Sequence, residues 1–301
     1  MSESAVPGPL PGVPGERHGW ATRLLENGYC WLEVLAGGGP RIVGFGLAGE
    51  PNLLAETPES RWDAGHGMFE LVGGHRLWFA PESPDCSVPD ATGLEMSSIR
   101  GGIRLTGAFE PPSGLRKSME IELDPGSAAV EVRHILVNQG TRTLELSPWA
   151  ITQLRLGGVA AVELPAAVPY HAVAPNGLLV MWPYASWADQ RLGISEHALT
   201  VRALPGDPFK LGCLSATGEV GYALDGVLFL KRFEAGVDLP HADMGCNVEI
   251  YADKSTIEIE TLGPLVSLAP GQSTIHVERW SASRTSGPGR AMGPLASPAL
   301  A

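Results

Sequence analysis

Nine segments of this chain alternate apolar and polar side chains with a period of two, and no stretch of 12 or more residues carries an apolar stripe at helical spacing. Alternation places successive side chains on opposite faces of an extended backbone, so it reads as half-buried strand. The clearest runs are Tyr29 to Ala36, Arg41 to Leu47, Leu115 to Leu123, Ala129 to Asn138, Thr143 to Pro148, Val227 to Phe233, Asn247 to Ala252, Thr256 to Leu262 and Thr274 to Trp280. Between them stand Gly37-Gly38-Gly39-Pro40, Asp124-Pro125-Gly126, Asn138-Gln139-Gly140 and Pro270-Gly271, residues that favour tight reversals. Many short strands joined by such turns predict an all-β antiparallel sandwich or barrel with few helices.

With 301 residues, 44% of them hydrophobic, the chain can bury a large core, and one domain is the expectation. Met1 to Arg17 and Arg284 to Ala301 are rich in Pro and Gly and read as weakly ordered tails around a folded domain of residues 18–283. A formal charge of −12 without any Lys/Arg-rich run argues against a nucleic-acid partner, which needs a concentrated basic footprint. No run approaches the ~20 apolar residues of a membrane span, and no charged leader precedes an apolar stretch, so no membrane partner and a cytoplasmic location are expected.

Several chemistries lack their signatures. Cys30, Cys86, Cys213 and Cys246 are scattered, with no C-x-x-C pair, and read as buried reduced thiols rather than disulfides or zinc ligands. The Gly-rich stretches match neither G-x-G-x-x-G nor a P-loop, and Ser87, Ser97 and Ser98 sit in no G-x-S-x-G context. Nucleotide binding and serine hydrolysis are therefore disfavoured, and no cofactor is expected.

The segment Gly245 to Leu265 carries the most chemistry. A turn centred on Asp253-Lys254 would pair Ala252 with Ser255, Tyr251 with Thr256, Glu249 with Glu258 and Asn247 with Glu260. Val248, Ile250, Ile257 and Ile259 then point to one side, and Asn247, Glu249, Tyr251, Thr256, Glu258 and Glu260 to the other. Opposed carboxylates repel unless a cation, a proton or a ligand compensates, which marks them as candidate acid/base groups. The alternative is an ordinary solvent-facing sheet surface.

In Glu70 to Glu82, Gly73-Gly74 permits unusual backbone angles, and His75, Arg76 and Trp78 combine a titratable ring, a fixed cation and a flat apolar face. Such a mixture suits a sugar, whose C–H face stacks on aromatics while forked donors and carboxylates read its hydroxyls. The competing reading is a loop tied down by Arg76 with Trp78 in the core. His134 falls in the apolar phase of its strand and reads as a satisfied core histidine. His241 and Asp243 would share a face if extended, but two ligands without a third make a weak metal signal, and no metal is expected.

The segments ENGYCWLEVLAGGGPRIVGFGLAGEPNLL, GGHRLWFAPE, SPWAITQL and CNVEIYADKSTIEIETLGPLVSLAPGQSTIHVERW together resemble bacterial proteins of the galactose-mutarotase-like superfamily, over most of residues 21–282. The resemblance implies a large antiparallel supersandwich and an aldose 1-epimerase-like isomerase acting on a carbohydrate-like small molecule. Ile259-Glu260-Thr261-Leu262 looks like the family's glutamate strand, which implies Glu260 as the base. The segment matching the family's histidine strand has Trp149 where that histidine stands, so the usual acid is missing and His75 is the substitute candidate. The expected ligand-binding residues are Arg76, Trp78, Trp149, Gln153, Asp243, Glu249 and Glu258. A binding protein without chemistry, and a repurposed enzyme acting on another cyclic metabolite, are the two alternatives.

Overall fold

The alternating runs become strands with little change of bounds. In a computed structural model, which describes residues 9–165 and 173–285, Arg41–Leu47, Leu115–Leu123, Ala129–Asn138 and Val227–Phe233 are strands over the residues that alternation picks out. Two runs are longer than expected. Thr274 to Trp280 extends to Ser273–Arg284. Thr143 to Pro148 continues as Leu144–Leu154, because Pro148, which has no N–H, sits where the strand changes partners: Leu144 to Leu146 pair with Val266–Leu268, and Trp149 to Leu154 with Ile257–Leu262.

Two large antiparallel sheets form the sandwich. In the first, Val13–Arg17, Trp20–Glu26, Cys30–Leu35, Arg41–Leu47, His75–Ala80, Leu144–Leu154, Ile257–Leu262, Val248–Ala252, Phe209–Cys213 and Leu179–Met181 lie side by side in that order. In the second, the order is Leu192–Ile194, Ala198–Arg202, Val159–Glu163, Glu219–Leu224, Val227–Phe233, Ser273–Arg284, Ala129–Asn138, Leu115–Leu123, Gly102–Glu110 and Glu95–Ile99. The inner faces interdigitate: Phe45 of the first sheet meets Phe229 and Trp280 of the second at ring-centroid distances of 5.5 and 5.6 Å. Among the described residues there is no α-helix, only the short 3-10 turns Pro84–Ser87 and Asp243–Gly245, and no helix long and apolar enough to cross a membrane. All four cysteines are buried free thiols.

The ordered edge starts before the expected boundary at residue 18. Val13–Arg17 pairs with Trp20–Glu26 through a two-residue turn in which His18 and Gly19 both have positive φ (52° and 83°). That is the hairpin geometry matched to strand twist, and Pro14 is tolerated because the strand is at the sheet edge. Residues 1–8 and 286–301 of the expected tails lie outside the described residues.

A separate hairpin, Glu56–Asp63 with Met68–Gly73, lies over the outer face of the first sheet. Its Phe69 packs on Trp62 and on Trp78, with centroids 4.9 and 5.9 Å apart. Beneath this cover Ile257–Leu262 is buried along its whole length, on both faces. The carboxylate-bearing face is therefore not a solvated sheet surface.

Candidate functional site

Three adjacent strands build the site. Their register sets Trp78 beside Trp149, Arg76 beside Ile151 beside Glu260, and Gln153 beside Glu258. Residues opposite one another share a face, so Arg76, Trp78, Trp149, Gln153, Glu258 and Glu260 all reach the outer side. There they line one cavity of about 310 Å³, closed by Trp62 of the covering hairpin, by Tyr184, and by Lys210, Tyr251 and Asp253.

The hairpin register differs from expectation by two residues. Glu249 pairs with Glu260 and Tyr251 with Glu258, because the turn spans Asp253 to Thr256 and the Asp253 carboxylate accepts from the backbone N–H groups of Ser255 and Thr256. A shift of two keeps every side chain on its face but exchanges the partners. Glu249 is fully buried beside Glu260 and lies outside the cavity lining, as does Asp243, which stands in the 3-10 turn where Asp243 and Met244 both have positive φ.

His75 is not in this cavity. Gly73 and Gly74 make the turn, with positive φ and with Ile42 O only 2.1 Å from where a Cβ on Gly74 would sit, and the strand begins at His75 itself. Adjacent strand residues face opposite ways, so Arg76 reaches the cavity while His75 points between the two sheets. There it joins His134, His276, Lys231, Glu278, Thr152, Thr261 and Trp280, all essentially buried. Lys231 Nζ donates to Glu278 Oε1 (2.5 Å), Thr152 Oγ1 (3.0 Å) and Ile259 O (3.4 Å). Trp280 Nε1 donates to Glu278 Oε2 (2.7 Å), and Thr261 Oγ1 to Glu278 Oε1 (2.5 Å).

The same bonds assign the tautomers. His134 Nδ1 faces His276 O at 3.0 Å and must donate, leaving its Nε2 to accept from His75 Nε2 at 2.6 Å. His75 Nδ1 then accepts from Thr152 Oγ1 at 2.8 Å. Both nitrogens of His75 are spent inside the core, so it cannot pass a proton to a ligand outside. His75, His134 and Glu278 are spaced closely enough to hold a metal, but both ring nitrogens of His75 and of His134 are engaged by protein partners.

Burial, opposed by Glu278, lowers the basicity of all three rings, with His276 pushed down to about 3. Their folded pKa values lie below the unfolded value of ~6.5, so the stability they contribute is present above that pH and is lost as pH falls below it. In His276→Gln, whose amide can still donate to Thr261, proton uptake on unfolding near pH 5 should drop by about one. Stability measured against pH checks this, and an unchanged slope would refute the neutral ring.

In the cavity, Glu260 Oε2 accepts from Trp149 Nε1 at 2.6 Å and from Lys210 Nζ at 2.9 Å. Burial raises its pKa, but Lys210 and the Trp149 N–H outweigh that and hold it below the usual carboxylate range. Glu258 behaves oppositely. Burial pushes it up to about 7, with Arg76, 3.3 Å away, opposing and Glu260 adding to the rise. Two neighbouring carboxyl groups with pKa values driven apart are suited to separate acid and base roles.

Several wall atoms have no hydrogen-bond partner: Arg76 Nε and Nη1, Gln153 Oε1, Thr57 Oγ1 and Glu260 Oε1. Leaving buried polar atoms unmatched costs about 1–3 kcal/mol each, so their convergence on one cavity marks a place for a polar ligand. A groove of about 440 Å³ along Val13–Arg17 lacks this property, since Arg17 pairs with Glu33 and Glu56, and Thr22 with Glu33.

Sequence reasoning missed Lys210, Tyr184, Asp253 and the covering hairpin, and set Tyr251 on the right face without giving it a role. Lys210 had a signal: it stands between Phe209 and Leu211 in a short strand, a lone cation on the face of the carboxylates. It lies 4.4 Å from the Trp149 ring centroid and 4.7 Å from that of Trp182.

No family model and no curated protein matches the chain. Solved structures do. A candidate aldose 1-epimerase from Escherichia coli matches at TM-score 0.55 and 15% identity over 87% of this chain and 99% of that one. A galactose mutarotase-like protein from Lactobacillus casei matches at TM-score 0.55 and 10% identity, covering 87% and 100%. A TPR-domain containing protein from Parabacteroides distasonis matches at TM-score 0.61 and 13% identity, covering 88% of this chain and 47% of its own. The chain thus has the galactose-mutarotase-like fold, an all-β antiparallel supersandwich, at identities that speak for the fold alone.

Proposed function

We propose that the cavity binds a cyclic polyhydroxylated metabolite and that the protein interconverts its anomers, as an aldose 1-epimerase-like isomerase. The carrying observation is the set of partnerless polar atoms on Arg76, Gln153 and Glu260 in a cavity walled by Trp62, Trp78 and Trp149. Glu260 takes the proton of the anomeric hydroxyl as the bond between anomeric carbon and ring oxygen breaks, and Glu258 gives its proton to that ring oxygen. The open-chain aldehyde turns about its first carbon–carbon bond and closes by the reverse transfers, so both carboxyl groups end as they began. The two glutamates are two residues apart on one strand, about 6.5 Å from Cα to Cα, which lets them address two oxygens of one ring. The test is NMR exchange between the anomers of a panel of free sugars. Exchange no faster than buffer for every sugar bound would overturn the isomerase.

One observation favours a binding protein without chemistry: Lys210 and Trp149 hold Glu260 as a weak base. That reading stands if sugars bind and none is interconverted.

Arg76→Ala separates ligand recognition from folding. It removes two unpartnered donor nitrogens from the cavity, and hydrogen bonds to charged groups are worth about 1.5–3 kcal/mol, so sugar affinity should fall ~10- to 100-fold. Glu258, freed of the guanidinium, rises further and stays protonated at neutral pH, so no bare buried charge is left and the melting temperature should change little. Tryptophan fluorescence titration and a thermal melt check the two halves. A large fall in melting temperature with unchanged affinity would make Arg76 a structural tie.

A further inference from the structure

Behind Glu260 the structure holds more carboxyl groups than cations. Glu249 stands directly across the ladder from Glu260, and both are fully buried. From Phe209–Cys213, Lys210 Nζ approaches both, at 2.6 Å from Glu249 Oε2 and 2.9 Å from Glu260 Oε2. From the 3-10 turn and the residue after it come Asp243, whose carboxyl acts electrostatically on Glu249, and Cys246, whose Sγ is 3.3 Å from Glu249 Oε1. The Cys213 thiol and the Tyr184 hydroxyl are the other titratable neighbours. Opposite Glu249 in the ladder is Gly212, which leaves room for Cys246 and Trp182.

One ammonium cannot balance two buried carboxylates with a third carboxyl beside them, and such a pair keeps one proton. The geometry says which member holds it. The Trp149 N–H and a Lys210 hydrogen bond both go to Glu260, whereas Glu249 Oε2 has the Lys210 ammonium 2.6 Å away but receives no hydrogen bond. We infer that Glu249 is a carboxylic acid, protonated throughout the working pH range, and that it acts as a positioning residue by donating its proton to Glu260. A carboxylate offers about four acceptor sites, and Trp149, Lys210 and Glu249 take three, so one is left for a ligand in the cavity. Burial raises Glu249 well above the carboxylate range, in keeping with this arrangement. The inference rests on Glu260 as the base, but the state of Glu249 can be read without any substrate.

The experiment uses the full chain with glutamate carboxyl carbons labelled with carbon-13. At about pH 9, where Glu258 is ionised, the parent should keep one resonance at the position of a protonated carboxyl, and Glu249→Gln should remove it. A spectrum in which every glutamate of the parent is ionised at that pH overturns the proposal, whatever the protein does to sugars. For a sugar that is turned over, Glu249→Ala should move the acid limb of the kcat/KM profile to higher pH, because Glu260 loses a donor, and Glu249→Gln, which still donates, should restore it. Identical acid limbs in the parent and both variants would also overturn it. Should Glu249→Ala fail to fold, the parent spectrum and Glu249→Gln decide alone.

Discussion

Glu278→Ala should lower the stability of this protein by about 3–5 kcal/mol, the cost of breaking a buried ion pair by removing one partner. Glu278 and Lys231 are wholly buried, and the carboxylate receives Lys231, Thr261 and the Trp280 indole N–H. Without it the ammonium keeps only Thr152 Oγ1 and Ile259 O. At roughly 2–4 °C per kcal/mol for a domain of this size, the melting temperature should fall by about 6–20 °C. The double variant Lys231→Met with Glu278→Met should recover much of the loss, since apolar residues of similar volume can replace a buried pair at little cost. The pair lies directly beneath the cavity: Thr152 and Ile259 belong to the strands whose outward residues are Gln153, Glu258 and Glu260. A melting curve for Glu278→Ala that overlays the parent would show that the network bears no load.

Glu260→Gln should slow anomer exchange by about 10²–10⁴-fold while sugar binding largely survives, because the amide keeps the shape and most of the hydrogen bonding but cannot accept the proton. Glu258→Gln should cost a similar factor, and the two are told apart by pH. As a base, Glu260 must be ionised, so the parent rate should fall only well into the acid range, through the depressed pKa of that group. As an acid, Glu258 must be protonated, so the rate should fall as pH rises through about 7. Stopped polarimetry or NMR exchange across that range reads both limbs. A sugar that Glu260→Gln turns over as fast as the parent removes Glu260 from the base role, and an alkaline limb that persists in Glu258→Gln removes Glu258 from the acid role.

The membership of the site was partly legible because strand phase is a local property. Arg76, Trp78, Trp149, Gln153, Glu258 and Glu260 do line one cavity, as a shared face requires. His75 was misplaced for an equally local reason. The glycine pair before it reads as a loop in which neighbours cluster, whereas a strand starting at His75 turns it away from Arg76. Glu249 was given the right face but the wrong partner, since Asp253 closes a longer turn and moves the register by two. The buried cluster was visible only in part: His134 and Lys231 occupy the apolar phase of their strands, whereas His276 and Glu278 alternate with Ile275 and Val277, and strand phase alone would turn them outward.

What the amino-acid sequence by itself determined is the β class, the position of its regular strands and which side chains within a run share a face, because period-two alternation depends only on extended backbone and neighbouring residues. What the tertiary structure decided is which face is dry and who meets whom. The carboxylate face became a cavity when the hairpin Glu56–Asp63 with Met68–Gly73 folded over it, and separations of 50 and 111 residues were closed to bring Lys210 and Trp149 to Glu260. Burial and charge pairing across such distances set the pKa values of Glu258 and Glu260, and strand phase carries no information about either.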